Sequence, residues 1–310
     1  MPSIARFGLG LAALGRPGYI NLGHAADLSA GHDPDAMRAN AHVVLDAAYD
    51  AGVRSFDAAR SYGRAEEFLA DWLHRRNVLS DRVFVSSKWG YTYTADWRID
   101  ADKHEVKDHS AETFRRQIAE SKAILGPYLR LYQIHSATLE SGVLDDTEVL
   151  RHLRNLRESG IQIGLSVTGP RQADTIRKAL GFDLFDAVQA TWNLLERSAG
   201  DALAEAKAAG LRVIVKESLA NGRLTARAPI GRLLDRAARL DCTVDALALA
   251  GVLAQPWVDV VLSGATTTQQ LRSNLAAREV RWDAECERTL AGIVEEPEAY
   301  WSRRAGMAWN

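Results

Sequence analysis

Short apolar or β-branched runs recur along the whole chain, separated by longer stretches with a different period. Eight of them read as strands: RFGLG from Arg6, SFDAA from Ser55, VFVSS from Val83, LYQIH from Leu131, IGLSV from Ile163, AVQAT from Ala187, RVIVK from Arg212 and DVVLS from Asp259. Between them the apolar residues take helical spacing, as at Val43, Val44, Ala47, Ala48 and Ala51, or at Val149, Leu150, Leu153 and Leu156. Each such stretch buries one face and leaves the other to water. Gly52, Gly160 and Gly210 close helical stretches just before a strand, where a left-handed cap favours a residue without a Cβ.

Strands alternating with helices imply a parallel sheet, and right-handed crossovers leave a doubly wound sheet or a closed barrel. A doubly wound dinucleotide fold expects GxGxxG after its first strand, whereas Gly8, Gly10 and Gly15 have the wrong spacing and lead into a Pro/Gly loop. Eight repeats favour the barrel. The expected fold is therefore α/β, a (β/α)8 TIM barrel in a single domain over 1–310, a length that suits a barrel of about 250 residues with insertions. A long loop at about 90–110 and a tail at about 295–310 are expected near its mouth.

Composition narrows the partners. With 47% hydrophobic and 25% charged residues the chain can bury a large core. The 38 Lys plus Arg balance 40 Asp plus Glu without a long single-sign block, which argues against nucleic acid and anionic membranes and for a small molecule. Cys242 and Cys286 are far apart and outside any CxxC or Cys/His cluster, so no disulfide framework or metal site is expected, and a reducing cytoplasm fits. FGLGLAALG near the start is too short and glycine-studded for a signal sequence, and no apolar run approaches the roughly 20 residues of a membrane span.

In such a barrel the chemistry sits at the carboxyl ends of the strands. Asp57 closes the second strand and Tyr62 follows on its loop; Lys88 tips the third strand and His135 the fourth. Singly, each has a structural reading: a cap, a rim phenol, a solvated terminus, a satisfied interior imidazole. Jointly they point at one mouth. A phenol with a pKa of about 10 is a poor acid near neutrality unless a cation favours phenolate, a role open to Lys88, with Asp57 holding the ammonium. A neutral His135 would orient a carbonyl oxygen.

This Asp, Tyr, Lys and His set resembles that of the aldo-keto reductase superfamily, with further similarity in GLS at Gly164, QATWNLL at Gln189, SLANGRL at Ser218 and SGATTTQQLRSNLAA at Ser263. The resemblance implies NAD(P)(H)-dependent reduction of an aldehyde or ketone, or the reverse, with Tyr62 as general acid and base. It implies nicotinamide contacts from Ser166 and Gln189, pyrophosphate contacts from Ser218, Leu219, Asn221 and Gly222, and further cofactor contacts from Lys216, Ser263, Gly264, Thr267, Gln270 and Asn274. Val167 replaces the usual Asn, Lys216 the usual aromatic ring and Glu217 a small hydroxyl. NADP(H) is the favoured cofactor from the family. NAD(H) or dual use stays open because Thr266, Thr267 and Gln270 stand where cations usually grip the 2′-phosphate, leaving Arg272 nearest. Two alternatives remain: a nicotinamide-binding, redox-sensing regulatory subunit with little turnover, and a barrel hydrolase or lyase using Asp57 and His135.

Trp89, Trp97 and Trp192 fall at strand ends, and Trp301 and Trp309 in the tail, so an aromatic substrate mouth is expected. His104 and His109, in the expected lid loop over 91–109, read as solvated rather than as metal ligands.

Overall fold

The computed structural model describes residues 2–28 and 31–310. All eight expected strands form, interrupted once by a hairpin that the sequence pattern reads as loop. In chain order they are β1 (Phe7–Gly10), β2 (Ser55–Asp57), β3 (Phe84–Trp89), the hairpin strands β4 (Tyr91–Tyr93) and β5 (Glu105–Lys107), then β6 (Leu129–Ala137), β7 (Gln162–Val167), β8 (Ala187–Thr191), β9 (Arg212–Lys216) and β10 (Val260–Ser263). Apart from the hairpin they form a closed barrel in the order β1-β2-β3-β6-β7-β8-β9-β10, each strand parallel to its neighbours. The barrel leaves no open sheet edge. The segment FGLGLAALG supplies β1 and the turn after it, with Leu9, Leu11 and Leu14 fully buried.

Successive side chains on a strand point to opposite faces, so each strand feeds two environments. Outward residues such as Phe7, Phe56, Val85, Tyr132, Ile163 and Val213 join the surrounding helices in one large core. Inward residues Leu131, Ala187, Ile214, Val260 and Leu262 form a separate apolar plug toward the amino ends of the strands. Above this plug the inward positions turn polar, to Asp57, Ser86, Gln133 and Gln189. Burying a polar layer is costly unless its groups bond one another, and these do.

The helices follow local signals. The helix Pro34–Asp50 starts at Asp33, whose carboxylate accepts from the Asp35 and Ala36 amides at 3.1 and 3.0 Å. It buries Val44 and Ala48, while Val43 faces solvent at 56% exposure. Thr147–Glu158, capped by Asp146, buries Val149, Leu150, Leu153 and Leu156 as expected, and Gly52, Gly160 and Gly210 all take positive φ. The expected lid loop is instead braced: Thr92 pairs with Val106 across the hairpin. Its β-branched and aromatic residues suit a strand, and a long structureless segment on a compact domain is disfavoured. Among the described residues no helix is long and apolar enough to cross a membrane.

The loops after β1 and β2 meet at two glycines. The Arg64 amide donates to the Gly15 carbonyl at 2.8 Å, and Gly63 sits at φ +58 against that same carbonyl. A Cβ on Gly15 would lie 2.3 Å from the Tyr62 carbonyl oxygen and 2.8 Å from the Ala65 Cα, both backbone atoms that cannot step aside. We expect Gly15→Ala to destabilise the fold by about 1–3 kcal/mol and to displace the loop carrying Tyr62. A thermal melt with an unchanged midpoint would show that this contact does not constrain the loop.

Candidate active site

Asp57 is the hub. It ends β2 on an inward position, beside Gly10 on one side and Ser86 on the other. Its Oδ1 accepts from Ser86 Oγ at 2.6 Å, Gln189 Nε2 at 3.1 Å and Gln133 Nε2 at 3.2 Å, while Oδ2 pairs with Lys88 Nζ. Lys88 is fully buried, and its ammonium places its other two donors on the Ala58 carbonyl at 3.0 Å and the Tyr62 hydroxyl at 3.4 Å. All three protons of the ammonium are used. A buried ion pair survives desolvation only when the remaining lone pairs and protons are bonded in this way.

Tyr62 and His135 face each other edge to face, ring centres 5.4 Å apart. Burial and then the Asp57 carboxylate drive the Tyr62 phenol well above 10, with the Arg16 guanidinium opposing them. The expected phenolate-favouring effect of Lys88 therefore does not set the state of the free protein, because burial first and the Asp57 carboxylate second favour the neutral phenol. Tyr62 holds its proton. Burial, reinforced by Lys88, Lys216 and Arg16, drives His135 well below 6.5, so its imidazole is neutral. Its Nδ1 lies 3.4 Å from Ser61 Oγ, and its carbonyl accepts from His109 Nε2 at 2.9 Å.

These groups form one wall of a cavity of about 730 Å³. Asp57, Tyr62, His135 and every expected cofactor residue except Ser166 line it: Gln189, Lys216, Ser218, Leu219, Asn221, Gly222, Ser263, Gly264, Thr267, Gln270 and Asn274. Ser166 sits behind, its hydroxyl accepting from the Ser136 amide at 2.8 Å, and the Gln189 amide is turned toward Asp57. Asn274 meets Ser263 Oγ at 2.8 Å; with its carbonyl on that side, its amino group reaches the Asp245 carboxylate at 3.0 Å. Arg272 is exposed and does not line the cavity.

Two features of the loop after β9 mark it as built for a ligand. Glu217, Ala220 and Asn221 all take positive φ without being glycine, a strain that persists where surrounding structure enforces it. Ser218 Oγ and Asn221 Oδ1 are buried without a partner among the described residues. Each orphaned group costs about 1–3 kcal/mol until something bonds it. A dinucleotide suits that need, since its phosphate oxygens accept from the Ser218 hydroxyl and its ribose hydroxyls can donate to the Asn221 oxygen.

Several residues of the site carry no sequence signal of their own. Arg16, nearly buried, pairs with Glu105 at 2.8 Å, lies over the Tyr62 ring and leaves its Nε without a partner. Arg304, from the helix Pro297–Ala305, takes both Glu217 oxygens at 2.9 Å. Burial alone would raise the Glu217 carboxyl, but Arg304 and Lys216 outweigh it and hold it at about 2. Lys216 bonds Thr191 Oγ1 at 2.9 Å rather than Glu217, and burial lowers its ammonium to about 8.

The tryptophans are largely relocated. Trp89 and Trp192 have outward parity: Trp89 packs on Phe114 and Trp192 on Trp257 between sheet and helices. Trp97 is drawn off by its indole N–H, which donates to the His32 carbonyl at 2.6 Å. None of the three lines the cavity; Trp309 does, stacked 4.0 Å from His104. His104 and His109 are not solvated as expected, since His104 is buried with Nε2 3.0 Å from the Ile99 carbonyl and burial lowers His109 to about 4. Among the described residues no cluster of His, Cys, Asp or Glu could hold a metal ion.

Comparison with known proteins gives the family. The chain is 26% identical to an NADH-specific methylglyoxal reductase of Escherichia coli, over 82% of this chain and 87% of that one. It is also 26% identical to a D-threo-aldose 1-dehydrogenase of a Pseudomonas species, over 96% and 98% of the two chains. An aldo-keto reductase from Bacillus halodurans, solved in its holo form, superposes with a TM-score of 0.70 at 20% identity, covering 94% of this chain and 92% of that one. The model of the aldo/keto reductase family matches residues 25–295, and the chain belongs to that family.

Proposed function

We propose that the protein interconverts an aldehyde or ketone with its alcohol, Tyr62 transferring the proton. The observation that carries this reading is the buried Asp57–Lys88–Tyr62 chain beside a neutral His135, at the wall of a cavity with orphaned polar groups. A bound nicotinamide dinucleotide supplies or accepts the hydride. The residues to hold it are those that line the cavity from Gln189 and Lys216 through Ser218, Asn221 and Ser263 to Gln270 and Asn274. Either NADP(H), the family expectation, or NAD(H), which the name of the Escherichia coli relative states, suits this reading.

Reduction proceeds as Tyr62 gives its proton to the carbonyl oxygen. The hydrogen bond from the Lys88 ammonium gains an anionic acceptor as phenolate forms, so it strengthens in the transition state, where stabilisation accelerates the reaction. His135, through its other ring nitrogen, orients the same oxygen and, being neutral, has no imidazolium proton to give in competition with Tyr62. The named relatives act on methylglyoxal and an aldose, and a small polar carbonyl suits a wall containing Arg16, Tyr19, Glu105 and Trp309. A reducing cytoplasm suits the two free cysteines.

Tyr62→Phe should lower turnover by about 10²–10⁴-fold, the usual scale of general acid catalysis, while the cofactor Kd stays within a few-fold. Near-normal turnover would remove Tyr62 from the reaction. Lys216 lines the cavity at the position where the resemblance implies an aromatic ring stacked on the nicotinamide, and it provides a second test. Below about 8 its ammonium is protonated and disfavours the cationic oxidised ring relative to the neutral reduced one. Raising the pH through 8 should tighten NAD(P)+ relative to NAD(P)H, and Lys216→Met should abolish that dependence. A flat ratio of the two Kd values in the native protein would contradict the placement of Lys216 beside the ring.

A further inference from the structure

Resting on the nicotinamide reading, we propose that Asp27, held by Arg227, makes the cavity selective for NAD(H) over NADP(H). Tyr62 and His135 fix the reactive end. A dinucleotide whose ring reaches them has its adenosine half at the other end of the same cavity, where Thr267, Gln270, Ser273 and Asn274 line the wall. Asp27 and Arg227 line that end too. The segment 21–27 borders the cavity through Asn21, Ala26 and Asp27 and is fastened to the loop after β9, with the Leu22 amide donating to the Asn221 carbonyl at 3.0 Å.

The charge balance at this end decides the matter. Arg227 NH1 donates to Asp27 Oδ2 at 2.8 Å, NH2 bonds Oδ1, and NH1 also bonds the Leu22 carbonyl. The guanidinium is therefore committed in bidentate fashion to a carboxylate side chain that is only 7% exposed. Among the described residues no other Lys or Arg lines this end, while Asp245 adds a second carboxylate. A ribose 2′-hydroxyl is a donor and finds carboxylate acceptors here, the pairing by which an acidic side chain reads an unphosphorylated ribose. A 2′-phosphate brings negative charge toward two carboxylates in a partly dry cavity, where like charges repel far more than in water. To accept it, Arg227 would have to abandon Asp27 and leave a nearly buried carboxylate unpaired.

Titration of the purified protein with NADH and NADPH, following cofactor or tryptophan fluorescence, tests this. NADH should bind at least about tenfold more tightly, equivalent to about 1.4 kcal/mol. Asp27→Asn should narrow the gap, mainly by tightening NADPH, since the amide removes the charge and frees Arg227. Gln269→Arg, an exposed cavity position whose side chain makes no hydrogen bond within the described residues, should tighten NADPH independently and covers a failure of Asp27→Asn to fold. Equal or tighter binding of NADPH by the native protein overturns the proposal, as does a folded Asp27→Asn with an unchanged ratio. Binding of neither cofactor would instead remove the underlying nicotinamide reading.

Discussion

A buried ion pair organises this molecule. Asp57 and Lys88 sit at the top of neighbouring strands with almost no contact with water, and such a pair is stable only if every remaining donor and acceptor is bonded. That requirement reaches around the barrel. It explains why the inward positions of β3, β6 and β8 at this height are Ser86, Gln133 and Gln189 rather than the aliphatic residues of the plug below. It also aims the last proton of the Lys88 ammonium at the Tyr62 hydroxyl. The polar layer thus both solves a desolvation problem and delivers a cation to the Tyr62 phenol.

The same pairing logic governs the rest of the cavity. Three further pairs, Arg16 with Glu105, Arg304 with Glu217 and Arg227 with Asp27, tie the N-terminal segment, the hairpin, the loop after β9 and the C-terminal helix together across the mouth. Surface ion pairs contribute little, but these carry at least one nearly buried partner each and join segments that are far apart in sequence. Lys216 stands apart, bonded among the described residues to the neutral Thr191 hydroxyl rather than to a carboxylate.

The strands were legible because β-branched runs bounded by polar turns are a local signal. Asp57, Lys88 and His135 were legible because strand ends of matching parity converge on one mouth, and Tyr62 because it follows Asp57 on the adjoining loop. The tryptophans show the limit of that argument. Trp89 is one residue beyond Lys88, and one residue on a strand turns a side chain from the lumen to the outer core. Arg227 and Arg304 were not legible, because their partners lie 200 and 87 residues away in sequence and no local pattern marks them. The loop over 91–109 hid a hairpin because three-residue strands fall below the length at which alternation is distinctive.

The central claim is that Lys88 supports catalysis by stabilising phenolate on Tyr62, with Asp57 holding the ammonium in place. The direct measurement is single-turnover reduction by Lys88→Met saturated with cofactor, so that binding is removed from the comparison. The account predicts a chemical step slowed by about 10²-fold or more, the scale associated with losing a transition-state charge contact. A chemical step at the native rate would show that the Tyr62 phenol transfers its proton without help from the buried pair.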